Sequence, residues 1–253
     1  MEEQLQKLVD YAEPKPSQLI IVSGKDSRLE TAFNPPLTFS KSCPYEMALC
    51  RLETYYSVPN IDTTNNTLKV SRDNGSTWTT ITIPTGCYEI KAINKVIQRF
   101  IKKAGGKADV INLSPNRNTL KCILNIKEES GYEVDFNVDN SLRSVLGFNA
   151  ALYKSGRYES ENLVNIMNVN SILVHCDVVG ASRVNGIDPP IVYNFFPNVA
   201  PGEKIVSTPL HLIYLPLMLN TISHMTCWVT DQNERKLDLR GEQLTITFHI
   251  KAS

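Results

Sequence analysis

The 253-residue chain has no run of apolar residues approaching the roughly 18 needed to span a bilayer as a helix. It has no net charge either: 26 basic residues balance 26 acidic ones. That balance gives no electrostatic ground for binding nucleic acid or an acidic membrane, and it leaves the surface little guarded against self-association. The six cysteines, Cys43, Cys50, Cys87, Cys122, Cys176 and Cys227, include no Cys-x-x-Cys pair. Most sit in strand-like runs, so reduced and mostly buried thiols are expected and a zinc site is not. The start, Met-Glu-Glu-Gln-Leu-Gln-Lys, lacks the basic and apolar regions of a signal peptide, which sets the expectation of a chain made and kept inside cells. In that setting the glycosylation patterns Asn65-Asn66-Thr67 and Asn74-Gly75-Ser76 carry little weight. Also missing are Gly-x-Ser-x-Gly, His-Glu-x-x-His, Gly-x-x-x-x-Gly-Lys and Gly-x-Gly-x-x-Gly, so hydrolases, nucleotide enzymes and dinucleotide enzymes have no motif support.

What the chain does have is strands. Residues 1–17 read as an arm, where Leu5, Leu8 and Val9 form one short helical stripe that Pro14 and Pro16 end. Strand-like segments follow at residues 19–22 and 45–56. In the latter Met47, Leu49, Arg51, Glu53 and Tyr55 alternate against Ala48, Cys50, Leu52 and Thr54. Residues 67–71 and 77–83 flank Asp73-Asn74-Gly75, whose Asn-Gly step supplies the positive φ angles of a hairpin. Further strands are expected at 110–113, 119–126, 132–136, 191–196, 205–207, 210–215, 222–230 and 244–250. In the last of these Leu244, Ile246, Phe248 and Ile250 point inward.

One substantial helix stands out, over about residues 88–103. Ile90, Ile93, Val96, Ile97, Phe100 and Ile101 recur at helical spacing, and Gly105-Gly106 lies where such a helix stops. Lys91, Lys95, Arg99, Lys102 and Lys103 form a basic stripe, suited to a phosphate backbone or an acidic partner but more simply read as a solvated face. A short helical turn is expected at 140–147, with Asn140 or Ser141 capping it and Gly147 past its end. Many short strands, one helix and no βα alternation exclude doubly wound and TIM-barrel folds. The fold class is mainly β, a single jelly-roll sandwich with long loops, since the chain is short for two such cores.

The stretch from Ser171 to Gly180 poses the functional question. Ile172, Val174, Cys176 and Val178 form an apolar face, and Leu173, His175, Asp177 and Val179 form the other. His175 and Asp177 with the distant His224 would make a two-histidine, one-carboxylate iron site on a jelly-roll barrel, with Arg235 anchoring a co-substrate. Against that stands the orientation: the apolar face is the better core face, which turns His175 and Asp177 outward or into an interface. His211 and His249 stand singly in strands. Trp78, Trp228 and Phe195-Phe196 could line a sugar site in a carbohydrate- or receptor-binding jelly roll, though core packing suits them better.

Several stretches, in order, carry a family resemblance: YEMALCRLETYYSVPNI from Tyr45, IPTGCYEIKAINKV from Ile83, SLRSVLGF from Ser141, residues 164–186, PGEKIV from Pro201, LDLRGE from Leu237, and the final strand. In these the chain resembles the penton-type minor capsid proteins of Polinton (Maverick) elements and adintoviruses. The resemblance implies a virion protein, with residues 18–253 a jelly-roll capsid domain whose N-terminal half either adds strands to the roll or forms an insertion. It implies homopentamers at fivefold vertices beside a separate double jelly-roll major capsid protein. It also implies no catalytic, cofactor-binding or metal residues, no small-molecule substrate and no specific nucleic acid. The loops suited to assembly are residues 154–168, 181–190 and 231–240.

Overall fold

The computed structural model describes residues 16–180, 182, 186 and 188–253. Almost all of the expected arm, and much of the 181–190 loop, lie outside the described residues. The chain divides into two compact units: one ends at Ser57 and resumes over Val169–Ser253, and the other is the intervening Val58–Asn168.

The discontinuous unit begins with β1 (Ser17–Gly24), β2 (Arg28–Thr38) and β3 (Tyr45–Tyr55). Numbered along the chain, its later strands are β11 (Ile172–Cys176), β12 (Ile191–Phe195), β13 (Lys204–Ser207), β14 (Leu215–Pro216), β15 (Thr221–Thr230) and β16 (Leu244–Ala252). They form two antiparallel sheets. One has the order β1-β16-β3-β13, with the short β14 also on β3; the other has the order β12-β11-β15-β2. Consecutive strands repeatedly cross from one sheet to the other, so neither sheet is a simple meander. A five-stranded and a four-stranded sheet linked this way are the jelly roll expected from the sequence.

Side-chain alternation explains why these strands form a sandwich. Leu244, Ile246, Phe248 and Ile250 of β16 are all buried, as are Ile20 and Val22 of β1, while Leu19 and Ile21 face out. Ile172, Val174 and Cys176 of β11 are buried on the facing sheet. The pairing shifts register in three places, one of which skips Val192 of β12 between Val174↔Tyr193 and His175↔Ile191. In β3 the pairing passes from Thr247↔Arg51 to Phe248↔Leu49, leaving Cys50 as a bulge. Met47 and Leu49 are therefore buried before it, and Leu52 and Thr54 after it. The third irregularity sets Ser223 of β15 against four unpaired β2 residues, 33–36, and beyond it Met225, Cys227 and Val229 point inward, as Ile222 does before it. The expected strand at 210–215 shrinks to Leu215–Pro216. Pro209 and Pro216 bracket that run and lack the N–H donors a ladder needs.

The continuous unit holds β4 (Thr67–Ser71), β5 (Thr79–Thr82), α1 (Ile90–Lys103), β6 (Ile111–Asn116), β7 (Lys121–Ile126), β8 (Glu133–Asp135), α2 (Arg143–Leu146), β9 (Leu152–Tyr153) and β10 (Gly156–Glu159). Its sheets run β5-β4-β8-β9 and β10-β7-β6. The β4–β5 turn has Asn74 and Gly75 at positive φ. Asp73 accepts bonds there from the Thr77 hydroxyl and amide, which bring its carboxyl down to about 2. Helix α1 buries Ile90, Ile93, Ile97 and Ile101, whereas Phe100 is 38% exposed. Its chain then turns away at Gly105, with φ +79. The core is finished by an aromatic cluster in which Phe136 stacks on Phe148 at 5.2 Å and Tyr153 meets both edge-on. Residues 156–159, expected in a loop, pair with β7.

Candidate functional site

Strand β11 places His175 on the outer face that the alternation assigned to it, but does not leave it open to solvent. The ring is only 3% exposed, on the face of its sheet opposite the sandwich core. Trp228 of β15 stands directly across from it, stacked at 4.9 Å and 7°. Arg28 of β2 pairs with Trp228 in turn, its guanidinium 5.9 Å from the ring centroid. The result is a row across three strands, a stacked ring pair with a cation over the Trp228 ring. His175 Nε2 is 2.9 Å from the Thr230 hydroxyl, and Nδ1 is buried without a hydrogen-bond partner. The segment after β15 contributes Gln232, which accepts bonds from the Asn170 and Ser171 amides. The outer-face placement of His175 holds, but stacking on Trp228 and the Thr230 bond bury the ring instead of leaving it open.

The proposed iron set does not assemble. Asp177 accepts a bond from the Thr226 amide, which fixes the chain just past β11. His224 is exposed and lies four residues along β15 from Trp228, about 13 Å at strand rise, beside Ala32 of β2. Arg235 is paired with Asp231 at 2.7 Å. Among the described residues no three histidine, cysteine or carboxylate side chains converge as a metal set. Behind His175, Cys176 faces Cys227 across the ladder, both fully buried. Their mutual hydrogen bond, and burial after it, hold the Cys227 thiol far above its usual range. The aromatic set is dispersed as well: Trp78 sits in the β4–β5 turn, Trp228 is in the stacked row, and Phe195 stacks on Tyr193.

Burial pushes the His175 pKa down, against a smaller opposing pull from Glu234. Protonation would also place a second N–H on a buried nitrogen with no acceptor. A folded-state pKa below the unfolded one means the unfolded chain takes up the proton first. The stability contribution is therefore complete above the ordinary value of 6.5 and declines as pH falls below it. Thermal melts between pH 7.5 and 5.5 should show the wild type losing stability more steeply than His175→Gln. Parallel curves would remove this role.

The surface of the discontinuous unit carries chemistry of another kind. Between β13 and β15, Leu210 is 90% exposed and Ile213 68%. Leu212, Met218 and Leu219 on the same segment are also exposed. Val206 adds to them from β13, an edge strand of its sheet. At the opposite edge, β1 presents Leu19 and Ile21. Sequence reading identified the first run as apolar but took it for strand, and so missed that it faces water. The helix α1 basic stripe is exposed, as a solvated face should be. No described helix is long and apolar enough to cross a membrane.

No protein-family model matches the chain, and no curated protein sequence matches it. Among solved structures, the crystal structure of the mavirus penton protein is similar, with a TM-score of 0.51 and 11% identity. The match covers 94% of this chain and 100% of that one. At that identity the likeness lies in the fold, a penton-like jelly-roll architecture.

Proposed function

We propose that the chain is a structural subunit of a viral capsid, of the penton type resembling those of Polinton-like elements and adintoviruses. It acts by assembling into homopentamers and by contacting a separate double jelly-roll major capsid protein, and it catalyses no reaction. The observation that carries this reading is the uncovered apolar surface at two different places on one sandwich. Leu210 and Ile213 lie on the segment after β13, and Leu19 and Ile21 lie on β1. A ring of identical subunits requires two dissimilar patches, each meeting the other on the next copy. Exposed apolar area of this kind is unfavourable in a monomer and marks an interaction surface. The fold shared with the mavirus penton protein supports the same reading.

Sedimentation velocity and negative-stain microscopy of the purified chain test it. Five-membered rings are expected for the wild type, and a folded monomer for the pair Leu210→Asp and Ile213→Asp. Both residues are exposed, so their substitution should leave the melting temperature nearly unchanged. A wild type that stays monomeric at high concentration and ignores the major capsid protein would refute the proposal.

A further inference from the structure

The continuous unit contains a cavity that capsid assembly does not explain. It opens between the last turn of α1 and the inner face of the β4–β5 hairpin, with a volume of about 270 Å³. Its floor is Val70, Ile81, Ile101 and Tyr132, each less than 8% exposed, and Phe100 stands at its mouth with 38% of its surface open. Gly106 lies against Tyr132 and Ile101, where any Cβ would overlap both.

The charged groups of the lining share one sign, beside the uncharged hydroxyls of Thr79 and Tyr132. They are Arg72 and Lys103, and no acidic residue lines the cavity. The Arg72 guanidinium donates to the Ala104 carbonyl, which seats a positive charge beside the opening. Lys102 and Arg99, from the basic stripe of α1, are exposed nearby on the same helix end. An apolar slot with cations only at its rim fits a ligand with an apolar tail and a single anionic head.

We propose that this cavity binds a medium-chain carboxylate, with the acyl chain on Val70, Ile81 and Ile101 and the carboxylate between Arg72 and Lys103. The probe is decanoate, titrated into the purified full chain by displacement of a dansyl-labelled undecanoate. Decanol and decylamine serve as controls of equal length.

Saturable binding is expected, about tenfold tighter for decanoate than for decanol, and weaker still for decylamine. Ala104→Trp and Thr79→Trp, at exposed positions on the cavity wall, should abolish binding with the circular dichroism spectrum unchanged. Arg72→Glu with Lys103→Glu should remove the preference for the anion. Equal affinity for decylamine would overturn the proposal, as would binding that survives both tryptophan variants. So would an acidic, leucine-bearing peptide occupying the cavity when decanoate does not.

Discussion

Val174→Asp should abolish folding of the jelly roll. Val174 has no exposed surface and lies in the middle of β11, between Val229 of β15 and Tyr193 of β12. Its neighbours on the inner face, Ile172 and Cys176, are equally sealed from water. A carboxylate there would find no donor, and its burial would cost several kcal/mol even after it took up a proton. Since whole domains are stable by only about 5–15 kcal/mol, that is enough to remove the native state. The expected result is an insoluble chain, or a soluble one without near-ultraviolet circular dichroism. Leu173→Thr, one residue away on the half-buried outer face, should melt cooperatively. If Val174→Asp melts within a few degrees of wild type, β11 has its faces reversed.

Gly147→Ala should be the most damaging single-methyl change in the continuous unit. Gly147 ends α2 with φ +81, a conformation that costs a side chain about 1 kcal/mol. Here the backbone conformation is the smaller obstacle. An added Cβ would lie 2.8 Å from the Leu163 carbonyl oxygen and would overlap that of Asn162. The Asn162 amide also bonds to the Gly147 carbonyl, so the two segments cannot part without losing that link. Urea unfolding should show a loss of roughly 3 kcal/mol or more. Gly105→Ala is the control, since its φ is +79 and nothing lies within 4 Å of the added carbon. Equal losses at the two positions would mean that close packing at Gly147 contributes nothing.

The sequence is legible wherever one strand or helix decides the outcome by itself. β16 alternates apolar and polar residues without interruption, and its inward set matches the buried set residue for residue. The isoleucines of α1, the Asn74-Gly75 reversal and the Gly147 stop are local signals of the same sort. The bulge at Cys50 and the register shift at Ser223 are not, because each is defined by how the partner strand pairs. Met47 and Leu52 read as opposite faces of one regular strand, yet both are buried.

The candidate site was half legible for a similar reason. The inner face of β11 follows from four apolar residues at alternating positions. The outer face depends on Trp228, Thr230 and Gln232, more than fifty residues away in sequence, which cover or brace it. No spacing rule around His175 announces them. The cavity beside α1 is similar: Val70, Ile101 and Tyr132 belong to separate elements and share a wall only after folding. The run from Leu210 is apolar enough to read as a strand, but Pro209 and Pro216 around it keep all but Leu215–Pro216 from pairing.

The place of β16 between β1 and β3 also sets an order of events during synthesis. Every strand of the continuous unit has been made by Asn168, so its sheets can close while the rest of the chain is still being translated. The jelly roll has no such freedom. Its β1 and β3 are not neighbours in their sheet; each pairs with β16, which is made only after the inserted unit. Until β16 is made, the edges of β1 and β3 that face it must wait unpaired. The inserted unit lengthens that wait, whereas its entropic cost in closing the chain grows only with the logarithm of its length.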